Sequence, residues 1–155
     1  MGTTVRDKRQ TSHEFYKKLY KLTVAGGVAF WAANFAISLT PIAAEYRAAL
    51  SISYVPMLLE ALLGGSIIGL CVSYSLLRFF DKLPTKSPIL KSVLLSFIVL
   101  VIVTVLVEVP AKFLTTTSDA WRYFFFAAMF NVLRILALGV AIGYLYDRVN
   151  GRARV

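Results

Sequence analysis

The sequence predicts an all-α integral membrane protein, a four-helix transmembrane bundle with both termini cytoplasmic. Three observations carry this. Of 155 residues, 58% are hydrophobic and 16% charged, against roughly 45–50% apolar and about a quarter charged in soluble domains. Four apolar stretches are each long enough to cross a bilayer core of about 30 Å, which takes about 20 helical residues. The basic residues, 17 against 8 acidic ones, gather on one side of those stretches.

The elements follow in order. Residues 1–21 read as a basic cytoplasmic tail with a short amphipathic helix. Thr11 and Glu14 form a capping-box pattern at its start. The first span is 22–39, without a charge. Its apolar run exceeds the roughly 7–15 residues of a signal-peptide core, so it reads as a retained helix. The second span, 55–77, is interrupted by Glu60 alone. The third, 89–109, is almost pure Leu, Ile and Val after Lys91, whose long stem can snorkel to the interface. The fourth, 123–146, carries Arg134 in its middle, and 147–155 is a second basic cytoplasmic tail.

Lysine and arginine set the orientation. Arg6, Lys8, Arg9, Lys17, Lys18 and Lys21 precede the first span. Arg78, Lys82, Lys86 and Lys91 sit between the second and third, and Arg148, Arg152 and Arg154 follow the fourth. The two opposite loops hold Arg47, Lys112 and Arg122. The heavier side is the cytoplasmic one, facing a leaflet of anionic lipid, and the localisation read from this is a multi-pass protein of the cell membrane. Basic charge confined to tails and one loop suits a lipid surface and argues against nucleic acid.

A faint internal repeat links the two hairpins. Each first helix runs from a lysine to a proline, Lys21 to Pro41 and Lys91 to Pro110. Each second helix ends aromatic-Asp-basic, Phe80-Asp81-Lys82 and Tyr146-Asp147-Arg148.

Helices in lipid associate through small residues that let backbones approach. Ala61, Gly65, Gly69 and Ser73 make such a stripe on the second span, and Gly139 and Gly143 another on the fourth. The first span offers Ala25, Ala29, Ala32 and Ala36 on one side, with Gly27, Trp31, Asn34 and Ser38 roughly opposite. The third span shows no small stripe and is expected to face mostly lipid. Two opposed surfaces on the first and fourth spans lead us to expect that the Gly139/Gly143 face, or the Asn34 face, meets a second copy or another membrane subunit.

Glu60, Arg134 and Asn131 lie within apolar spans, and Glu108 lies at the outer end of the third. A charge at bilayer depth costs about 2.5–3.5 kcal/mol even on insertion scales, so such residues pair or line water. Side chains tilt toward the helix N-terminus, so Arg134 reaches toward the Glu60 level with Asn131, one turn earlier, on its path. The sequence reading that follows is a non-enzymatic structural or accessory membrane component. In that case Glu60 and Arg134 satisfy each other and no cavity reaches them. The alternative is a small oligomeric transporter or channel, with a water-accessible cavity ending at Glu60 or Arg134. An enzyme is the third reading. No nucleophile adjoins a base and no metal-ligand spacing occurs, so neither a metal nor a cofactor is expected.

The topology has a direct test. Cysteines placed at Thr116 and Ser87 should react with a membrane-impermeant thiol reagent from the external and the cytoplasmic side respectively. Reversed labelling would overturn the charge argument.

Overall fold

The computed structural model describes residues 3–114 and 119–151. All regular structure among them is helical. Helix α1 (Thr3–Ser38) runs unbroken through Thr11, so the capping-box pattern starts no helix. No proline or glycine interrupts the chain between Thr3 and Ala25, and the basic tail and the first apolar segment are one rod.

The end of α1 is built from hydroxyls. Ser38 Oγ donates to the Phe35 carbonyl at 2.6 Å and Thr40 Oγ1 to that of Ile37 at 2.7 Å. These bonds satisfy carbonyls that a helix end leaves without partners. Thr40 then caps α2 (Pro41–Ala49), accepting from the Ala43 N–H at 3.3 Å with Pro41 in the first turn. The axis turns by 88° at this junction. At the far end of α2, Ser51 takes φ 54° while the Ile52 N–H bonds the Arg47 carbonyl at 2.9 Å. This is the paired bonding of a Schellman stop.

Helix α3 (Tyr54–Phe79) closes in a 3₁₀ turn, Phe80–Lys82. Helix α4 (Pro88–Val103) continues through a π-helical segment, Thr104–Glu108, into α5 (Val109–Leu114). Pro110 explains the wider turn. It has no N–H for the carbonyl four residues back, and its ring crowds that carbonyl. Helix α6 (Ala120–Gly151) completes the chain. Three segments, Tyr54–Lys82, Pro88–Val107 and Ala120–Asn150, are long and apolar enough to cross a membrane. The bent pair of α1 and α2 makes a fourth if it counts as one broken span.

Helix α1 packs along α3 and α6, and α4 packs along α6. Backbone proximity decides these contacts. A Cβ on Gly69 would stand 3.0 Å from the Thr23 carbonyl oxygen, and one on Gly65 2.8 Å from the Phe30 ring. The face of α1 that turns inward carries Leu22, Gly26, Gly27, Phe30, Asn34 and Ser38, while Ala32 and Ala36 point outward. Ala61 and Ser73 are buried on the same side of α3 as its two glycines.

Two expectations are corrected here. Gly139 and Gly143 face α4 of the same chain. A Cβ at Gly139 would lie 2.7 Å from Ser96 Oγ, and one at Gly143 2.5 Å from the Ile89 Cα. Asn34 is also internal, at 1% exposure. Both surfaces assigned to a second copy are therefore filled by the chain itself. Nor does α4 lack a small stripe: Ser92, Ser96 and Leu100, four residues apart, are buried against α6. Ser96 Oγ donates to the Ser92 carbonyl at 2.8 Å, so the hydroxyl is satisfied within its own helix and the side chain packs like a small apolar one.

Lys91 also departs from expectation. It does not snorkel but is buried, donating to the Phe80 carbonyl with its ammonium 3.7 Å from the Phe80 ring centroid. Phe80 stacks on Tyr146 at 4.7 Å. One lysine thus joins the ends of α3, α4 and α6. Lys18 Nζ donates to Asn150 Oδ1 at 2.9 Å and ties α1 to the same end.

Replacing Gly143 with Leu should destabilise the fold by at least about 1–3 kcal/mol, because α4 backbone must move to admit the side chain. Thermal unfolding in detergent, with the oligomeric state followed by size exclusion, checks this. A folded variant of unchanged stability would return the glycine face to an intermolecular role.

Candidate functional site

At the end opposite Lys91, α2 lies across the helices as a roof. It is held to each neighbour by a different contact. Arg47 donates to the Ser38 carbonyl at 3.0 Å, where a cation also suits the C-terminus of α1. The same guanidinium lies 5.2 Å from the Tyr54 ring centroid on α3. Toward α6, the Tyr46 ring meets Phe130 edge-on at 5.8 Å, and Glu45 pairs with Arg122 at 2.8 Å. That ion pair is solvent-facing and worth at most about 1 kcal/mol, so ring packing and the Arg47 bond carry most of the attachment.

Beneath the roof is a cavity of about 160 Å³. Its polar lining includes Asn34 and Ser38 from α1, Tyr46 from α2, Glu60 from α3, and Asn131 and Arg134 from α6. A second chamber of about 190 Å³ shares Asn34, Met57, Glu60 and Arg134 with the first and extends to Phe30, Ala61 and Gly64. Each far exceeds the roughly 10–15 Å³ that one water needs.

Of the polar residues singled out from sequence, Glu60, Asn131 and Arg134 line this space together. Arg134 Nη1 donates to Asn131 Oδ1 at 3.2 Å, one helical turn back. Glu60 and Arg134 make no ion pair with each other; among the described residues the ion pair is Glu45–Arg122. Glu108 closes the π segment, and its side chain lies outside those described. Also among the described residues, no three His, Cys, Asp or Glu side chains gather to hold a metal.

Asn34 is the residue whose part in this site sequence reasoning missed. It is 1% exposed, lines both chambers, and its amide nitrogen has no hydrogen-bond partner. A buried donor left unmade costs about 1–3 kcal/mol. The signal was its four-residue spacing to Ser38, which puts both on one helical face, but that face was assigned to helix association. The roof itself had no sequence signature beyond Thr40-Pro41, since its ties to α6 join residues far apart in the chain.

The arrangement presents donors at the junction of the chambers, from Asn34 and Arg134, and one carboxylate acceptor, Glu60. Such a set suits a ligand that brings both an anionic oxygen and a donor group. Comparison with protein-family models, curated proteins and solved structures finds no match.

An Asn34→Leu variant should lose stability in detergent, by an equivalent of about 1–3 kcal/mol, because water that enters the chamber can satisfy the amide and not a leucine. Unfolding at a higher temperature than the parent would show that the chamber is dry and the amide left unmade.

Proposed function

We propose that this is a multi-pass cell-membrane protein, a four-helix transmembrane bundle with cytoplasmic termini, that binds a small polar group in the outer half of its membrane-spanning part. On this reading α1 with α2 supplies the first span. The basic end, with Lys17, Lys18, Lys21, Arg78, Lys82 and Arg148, rests on the anionic cytoplasmic leaflet.

One observation carries the binding role: a cavity reaches Asn34, Glu60 and Arg134 together, with the buried Asn34 amide nitrogen unpartnered inside it. A purely structural charge pair would leave no such space and would join Glu60 to Arg134 directly. Keeping a carboxylate at this depth without that pairing costs free energy, which a bound ligand offsets. The cavity supports a binding or carrier protein over an accessory subunit.

The test is water access. In a Cys71→Ala background, Met57→Cys on the cavity wall should react with a charged, membrane-impermeant thiol reagent applied from the outside. Leu63→Cys, on the exposed apolar face of α3, should react far more slowly. Equally slow reaction at both positions would mean that the cavity is closed to water, and the binding reading would fail.

A further inference from the structure

The second chamber opens sideways. Glu60 and Gly64 are one turn apart on α3, Glu60 exposed and Gly64 half-buried. The neighbouring exposed positions on that helix are Leu59, Leu63 and Ile67, at 57%, 67% and 64%. A Cβ on Gly64 would touch nothing within 4 Å, so the glycine leaves a gap at the mouth. The inner wall is Phe30 and Asn34 of α1. In a membrane this mouth lies among residues that face lipid tails. A solute dissolved in water does not arrive by that route, whereas an amphiphile already in the bilayer does.

The depth agrees. Glu60 is six residues into α3, about 9 Å along its axis. A lipid headgroup drawn one or two helical turns below the surface reaches it, with its chains left along Leu63 and Ile67.

Charge then selects the headgroup. The Glu60 carboxylate stands at the mouth and makes no ion pair among the described residues. It repels a headgroup bearing only negative charge and attracts a cation. A primary ammonium has N–H groups to donate to it; a trimethylammonium has none. Deeper in, the Asn34 amide nitrogen and the several N–H donors of the Arg134 guanidinium offer a place for phosphate oxygens.

We propose that the chamber binds the phosphate–ammonium headgroup of an aminophospholipid entering between α1 and α3, its ammonium on Glu60 and its phosphate on Asn34 and Arg134. This rests on the binding role proposed above and names the ligand class and the route.

The experiment uses the full chain, reconstituted in nanodiscs containing phosphatidylethanolamine, phosphatidylcholine and phosphatidylglycerol in equal parts. Lipid retained after mild detergent extraction is counted by native mass spectrometry. The wild type should keep phosphatidylethanolamine over the other two by about tenfold or more. That factor corresponds to roughly 1.4 kcal/mol, near the low end for a hydrogen bond to a charged group. Glu60→Gln should erase the preference for ethanolamine over choline. Gly64→Phe, which fills open space, should abolish retention with unchanged thermal unfolding. Should that variant misfold, the Glu60→Gln result decides alone.

A second arm adds soluble phosphoethanolamine. Failure to displace the lipid supports entry from the bilayer. If phosphoethanolamine binds equally well to wild type and Gly64→Phe, the ligand comes through the water-facing chamber and the lateral route is wrong, while the binding role stands. No lipid preference in a protein whose Met57→Cys is water-accessible would overturn the headgroup assignment alone. An inaccessible Met57→Cys would remove the binding role beneath it.

Discussion

Helices surrounded by hydrocarbon gain little from burying apolar side chains, because lipid is as apolar as leucine. What remains is backbone-to-backbone approach, and this chain depends on it at two seams. Gly69 lies against the carbonyl of Thr23, and Gly143 against the backbone of Ile89. The first seam sets α1 on α3 and the second sets α4 on α6. With both fixed, Leu76, Leu138 and Ile142 meet in a fully buried centre at the basic end, and toward the other end the helices leave the two chambers unfilled.

That unfilled space makes the site. At the basic end, Lys91, Phe80 and Tyr146 draw three helices together. At the other end the Ser38 and Tyr54 hydroxyls, 3.3 Å apart, join α1 to α3. The 88° turn after Ser38 lays α2 across the opening. The turn needs the hydroxyls of Ser38 and Thr40, Pro41 in the first turn of α2, and a left-handed Ser51 to release the chain into α3. The roof therefore covers the end of α1, and the Asn34 amide nitrogen beneath it has no partner among the described residues. A fold that holds a polar donor unsatisfied gives up stability at that point, a frequent feature of binding sites.

The faint sequence repeat has a physical counterpart at one end only. Phe80 and Tyr146, the aromatic residues of the two matching tripeptides, stack on each other. The two prolines diverge. Pro41 opens a new helix after a sharp turn, whereas Pro110 is absorbed by a π-helical widening that carries the chain onward. The difference lies in what precedes each: Ser38, Leu39 and Thr40 stop a helix, while the Val and Leu residues before Glu108 favour its continuation.

The helical character and the apolar segments were legible from composition and run length, because hydrophobicity at this density leaves no other class of structure for the chain. Glu60, Asn131 and Arg134 stood out for the same reason, being polar residues in apolar runs. Which surfaces met was not legible. Gly139 and Gly143 look identical in sequence whether they face α4 or a second copy, and Ser92 and Ser96 disclose a packing stripe only once their neighbour is known. Asn34 could be placed on a face but not in a cavity, since a cavity is what several helices leave unfilled together. Sequence alone determined that buried polar groups need partners; the crossing of the helices decided which of them were left to find one outside the chain.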